Sequence, residues 1–167
     1  YPMTLNIILI SLHYFVILLP QVNHYSMTTE KEDVNIFNAP LIDELINNDV
    51  IYRLYENRIY HVIIPPHIAV DMNLVNVGYA FVEKHGGGKF YNIFQFSSFS
   101  DIEPEIRSWA ANENGNKNTH SDAIVITSLP QKILTDFYLK INSPKQPTKI
   151  FYSLKKAIAW TLSKIED

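Results

Sequence analysis

Between Phe96 and Pro104 the chain sets three hydroxyls, Ser97, Ser98 and Ser100, beside the carboxylate of Asp101. Pro suits the first turn of a helix, and Ser100-Asp101-Ile102-Glu103 has capping-box spacing. The same residue types also cap helices and close strands with no chemistry attached. On the residues alone a cap is the plainer reading.

Other groups also carry both a chemical and a plain structural reading. Thr127-Ser128-Leu129-Pro130 reads as a strand-to-helix turn that would present Ser128 as a nucleophile. It lacks the GxSxG elbow, nothing in the sequence brings His120 or Asp122 to it, and a helix cap is the plainer reading. The six histidines, His13, His24, His61, His67, His85 and His120, show no HxH or HxxxH spacing. Gly86-Gly87-Gly88 follows a helical stretch and precedes a strand, the reverse of a phosphate-binding loop. Lys145, Lys149, Lys155, Lys156 and Lys164 read as solvated lysines around a last helix, with an anionic docking surface as the sharper alternative. No cofactor and no metal is expected.

Positioning such groups requires elements, and hydrophobic periodicity supplies them. VIYRLY (50–55) and RIYHVII (58–64) read as a hairpin around Glu56-Asn57. A helix over 71–85 is capped by Asp71 and ended by Gly86. Then come a strand over 89–98, a helix from Pro104, a buried strand DAIVIT (122–127), and a helix from Ser128 with Leu129, Ile133, Leu134, Phe137, Tyr138 and Ile141 on one stripe. TKIFY (148–152) and a helix from Ser153 finish the chain. The order ββαβαβαβα predicts an α/β domain with a single mixed, mostly parallel five-stranded sheet and four helices. No internal repeat is evident.

The chain has 167 residues, 47% hydrophobic and 19% charged, with net charge −3 and no cysteine. That length suits one domain, and the missing Cys excludes disulfide scaffolds, thiolate metal sites and thiol catalysis. An acidic balance, 14 Lys+Arg against 17 Asp+Glu, argues against a nucleic-acid partner. Every Asp, Glu, Lys and Arg lies after residue 29. The apolar run Leu5 to Leu19 would cover about 22 Å as a helix, short of a roughly 30 Å bilayer core. Residues 1–26 are expected to be translated upstream sequence or an anchor, with Met27 the expected start and a membrane partner only if 1–26 belong to the native protein. Residues 27–49 are expected to form an extension with a short helix, since Ala39, Leu41, Ile42, Leu45 and Ile46 fall at helical spacing ahead of Asn47-Asn48-Asp49. The domain proper is expected over 50–167.

The order of elements over 50–165 resembles the anti-sigma-factor antagonist (STAS) fold, which is also like the lipid-binding CRAL-TRIO architecture. The runs NDVIYRLYENRIYHVIIPPH, VEKHGGGKFYNIFQFSSFSDIEPEIRSWAA, SDAIVITSLPQKILTDFYL and PTKIFYSLKKAIAW are similar to small bacterial STAS-like proteins. The resemblance implies a cytoplasmic, non-catalytic regulatory module that docks an unidentified protein partner. In STAS domains a Ser or Thr beside an Asp, opening the helix after the third strand, is phosphorylated. The matching positions are Ser97, Ser98, Ser100 and Asp101, where a phosphoryl group would add about −1.5 to −2 charge near helix N–H groups, although Asp101 follows the serines and the glycine of Asp-Ser-Ser-Gly is missing. Binding of a small apolar ligand or lipid is the alternative function, and a Ser128 hydrolase the third.

Overall fold

The computed structural model describes residues 36–110, 117–133, 136 and 145–166. The segment 1–26, the polar start of 27–49, and Leu134, Phe137, Tyr138 and Ile141 of the expected stripe lie outside the described residues.

The main sheet has six strands: β1 (Leu41–Asn47), β2 (Val50–Tyr55), β3 (Ile59–Ile64), β5 (Phe90–Phe96), β7 (Thr119–Val125) and β8 (Thr148–Phe151), adjacent in that order. β1, β2 and β3 form an antiparallel meander, and β3, β5, β7 and β8 run parallel. A separate two-stranded ribbon pairs β4 (Ala69–Val70) with β6 (Asp101–Ile102) in parallel. Four helices occur among the described residues: α1 (Met72–Lys84), α2 (Pro104–Ala110), α3 over residues 129–133 and at 136, and α4 (Leu154–Glu166). The α/β class and the mostly parallel sheet follow the expectation, and the five expected strands are β2, β3, β5, β7 and β8.

The sixth strand is a correction. Residues 41–47, expected to be helical, pair with β2 from Asn47↔Val50 to Leu41↔Tyr55. Asn48 and Asp49 take left-handed φ of 48° and 62°, the two-residue turn that matches strand twist. Asn47-Asn48-Asp49 is therefore a hairpin turn rather than a helix stop, and ladder bonds to β2 override a spacing that suited either period. The preceding residues also join the core: Phe37, 1% exposed, stacks on Tyr55 at 4.1 Å. The β2–β3 turn is one residue longer than Glu56-Asn57. Arg58 carries the left-handed φ of 64°, and its N–H closes the turn onto the Tyr55 carbonyl.

Strand alternation splits the apolar residues between two faces. On one lie Val50, Tyr52, Leu54, Tyr60, Val62, Phe90, Phe96 and Ile124, with Leu74, Phe81 and Val82 of α1. On the other lie Tyr55, Ile59, Ile93, Ala123 and Val125, with Ala157 and Ile158 of α4. Strands in sequence order, linked by crossovers of one hand, put their helices on one face. Accordingly α1 and α2 meet there, with Tyr79 and Trp109 in edge-to-face contact, while α4 folds back across the opposite face.

Two successive β-turn-β-α units share one spacing. Cross-strand partners stand 32 positions apart from Ile59↔Tyr91 to Ile64↔Phe96, and again at Ala69↔Asp101 and Val70↔Ile102. The helices starting at Met72 and Pro104 keep the same offset. No position from 59 to 72 carries the same residue as its counterpart, so the repeat is one of backbone geometry.

Candidate functional site

The serine cluster lies beyond the C-terminal end of β5, where ligands commonly meet open α/β sheets. Ser97 to Ser100 form a tight turn, with Phe99 at φ 62°. A left-handed non-glycine residue is held there by its surroundings. Phe99 is 78% exposed and stacks on His67, its counterpart in the preceding unit, at 5.3 Å. Ser98 is exposed and its hydroxyl lies 3.5 Å from that of Thr127. Ser100 is 3% exposed and donates to the Ser97 carbonyl at 2.7 Å. Asp101 is exposed, and its carboxylate accepts from the Ile102 N–H. The expected capping by Ser100 and Asp101 is therefore corrected: one hydroxyl is turned into the loop, and Asp101-Ile102 is ribbon strand ahead of Glu103 and α2. The ribbon's backbone bonds, Asp101 N–H to Ile68 and Glu103 N–H to Val70, take the positions a cap would need.

Gln131 binds this turn to the next loop. Its amide nitrogen donates to the carbonyls of Ser97 and Ser100, and its oxygen accepts from the N–H groups of Thr127 and Ser128. Ser128 Oγ in return accepts from the Gln131 N–H, a reciprocal cap at the start of α3. His120 stacks on Tyr91 at the opposite end of β7. Eight residues of extended chain separate His120 from Ser128, about 26 Å, so no nucleophile–base pair forms between them. Among the described residues no three His, Asp or Glu gather into a metal-binding group, and no helix is long and apolar enough to cross a membrane.

Below the serine turn, between the sheet and helices α1 and α2, lies a cavity of about 240 Å³. Val62, Ile64, Phe94, Phe96 and Ile124 line it from the sheet, Leu74 and Val82 from α1, and Ile106 and Trp109 from α2. Ser100, Asp101, Ile102 and Gln131 line its upper end; of the four positions singled out from sequence, Ser100 and Asp101 are in the lining and Ser97 and Ser98 are not. Asp71 starts the α1 wall by accepting from the Leu74 N–H at 2.9 Å, and Tyr52 Oη donates to the Leu74 carbonyl. Burial pushes the Tyr52 phenol up to about 12, helped by the charge of Asp71.

The lower end is polar and escaped the sequence reading. The Asn92 amide donates to Thr119 Oγ1 at 3.1 Å and to Asp122 Oδ1 at 2.9 Å. Burial raises the Asp122 carboxyl to about 6 against the opposing pull of the Asn92 bond, which leaves it charged at neutral pH. Tyr79 is pushed up to about 12 by burial and then by Asp122. Asn118 lines the same end, and its buried Nδ2 has no hydrogen-bond partner among the described residues. One signal could have found these groups: Asn92 is in phase with Phe90, Phe94 and Phe96, and Asp122 with Ile124 and Ile126, polar residues on an apolar face.

The fold and this recess define a layered α/β domain with an apolar cavity closed at one end by a hydrogen-bonded carboxylate. The chain belongs to the family described as a domain of unknown function (DUF7793), which it matches over residues 53–165. Comparison with curated proteins and with solved structures gives no match.

Proposed function

We propose that the domain binds a small, mostly apolar molecule in the cavity between the sheet and its crossover helices. The cavity itself carries the reading. Protein interiors are close-packed, and a dry apolar cavity of about 150 Å³ already admits benzene. A recess of about 240 Å³ exceeds that, and its lining is mostly apolar, with polar groups at the serine turn, at the Asn92–Asp122 end and on Tyr52 and Tyr60. Few polar groups among apolar walls is the usual make-up of a ligand pocket. The order of elements resembles the STAS fold, itself like the lipid-binding CRAL-TRIO architecture, and that resemblance supports the same reading. Native mass spectrometry of the purified full chain tests it, with a co-purifying organic molecule of low mass as the expected result. A bare chain mass, together with no thermal stabilisation by small apolar probes, would sink the idea.

Docking of a protein partner, the leading expectation from sequence, becomes the second reading. The exposed Phe99–His67 stack beside Ser98 favours it. Affinity purification with the wild type, Phe99→Ser and Ser98→Asp tests it. A partner held by the wild type and lost from both variants would support docking, and identical recovery on all three would count against it. A cytoplasmic, non-catalytic role belongs to both readings.

A further inference from the structure

We infer that the lower end of the cavity is a head-group site for a hydroxyl, so that the bound molecule is an apolar body carrying an alcohol or phenol. The inference rests on the ligand-binding reading and narrows it. Asn92 gives one amide hydrogen to Thr119 and the other to Asp122 Oδ1, so its nitrogen has none left for a ligand. An ionised carboxylate only accepts, and among the described residues Asn92 alone donates to Asp122, on Oδ1, so the second oxygen is left for a donor. Asn118 Nδ2 only donates, and it lies buried at the same end without a partner among the described residues. A ligand head that satisfies both must donate to Asp122 and accept from Asn118. A hydroxyl can do both, whereas an ammonium group cannot accept and a carboxylate cannot donate. A carboxylate would also face the Asp122 charge in a recess of low dielectric. The apolar walls above, Val62, Phe94, Ile124 and Trp109 among them, would take the hydrocarbon body.

The test compares three probes of one shape, 4-ethylphenol, ethylbenzene and 4-ethylbenzoate, by calorimetry on the purified full chain. The expected result is at least about tenfold tighter binding of 4-ethylphenol than of ethylbenzene, and no binding of 4-ethylbenzoate. Asp122→Asn exchanges an acceptor for a donor at nearly constant shape, so it should abolish the advantage of the phenol and admit the benzoate. Asn118→Ala, which removes only an unpaired group, should lower phenol affinity severalfold and leave ethylbenzene unchanged; it decides the matter if Asp122→Asn fails to fold. Equal affinity for phenol and ethylbenzene, or benzoate binding to the wild type as tightly as phenol, would overturn the hydroxyl site and leave the cavity reading intact. If none of the three binds, the cavity reading and the head-group site fall together.

Discussion

Arg58 shows how much of this fold depends on one side chain in an unfavourable backbone state. Its φ is 64°, a region that costs a non-glycine residue about 1–2 kcal/mol. The guanidinium offsets that cost by donating to the carbonyls of Gly87 and Lys89 at 2.7 and 2.8 Å and by lying over the Phe90 ring at 4.4 Å. It ties the glycine loop after α1 to the start of β5. Arg58→Ala keeps the strained φ and loses the tie, so it should lower stability by about 1–3 kcal/mol in chemical denaturation. Arg58→Gly loses the tie but relaxes the backbone, and should come out about 1 kcal/mol more stable than Arg58→Ala. Equal stabilities would show that the left-handed state is not what limits this position.

At the scale of elements, α1 approaches the sheet through Gly78. A Cβ there would stand 2.4 Å from the Tyr60 hydroxyl and 3.3 Å from the Tyr52 ring. Ala normally favours a helix over Gly by about 1 kcal/mol, but here overpacking wins, and Gly78→Ala should destabilise by about 1–3 kcal/mol. In a Tyr60→Phe background the same change should cost under about 1 kcal/mol, because the offending atom is the hydroxyl. A thermal-denaturation double-mutant cycle with no coupling between the two positions would refute this account of the packing. The elements were legible where composition and period agreed: β-branched and aromatic runs marked β2, β3 and β5, and Asp71 and Gly86 marked the limits of α1. β1 was not, because LIDELIN suits either period and only pairing with β2 decides between them. The serine turn was visible as a run of residue types, but its hydrogen bonds to Gln131, 31 positions from Ser100, were not. The cavity's polar end was hidden for the same reason, since Asn92 and Asp122 meet only once β5 and β7 are paired.

Across the whole molecule, two buried titrating groups on opposite faces of the sheet oppose one another. His61, 1% exposed, bonds Gln95 at 3.0 Å, and burial lowers its pKa to about 4. It binds a proton in the unfolded chain sooner than in the folded one, so its contribution is complete above about 6.5 and is lost as pH falls toward 4. Asp122, raised to about 6, has the opposite sign: its contribution is complete below about 3.8 and is lost as pH rises through 6. Each is worth about 3 kcal/mol, and between pH 4 and 6 they nearly cancel. The two groups should therefore offset one another in that window by urea denaturation, leaving the loss on acidification that the lowered His120 adds. Asp122→Asn should lose stability on acidification, and His61→Leu should gain it; parallel profiles for the two variants would contradict the assignment. A different consequence follows from the constant offset of the two β-turn-β-α units. The ribbon between them is only two residues long, and it holds Ile102 against the cavity. An added residue in one turn must be absorbed as a bulge or let the ribbon slip by one place, and a slip would rotate Ile102 outward. Insertions and deletions among relatives should therefore arise as matched events in both loops, leaving a coupled length signature where the residues themselves share nothing.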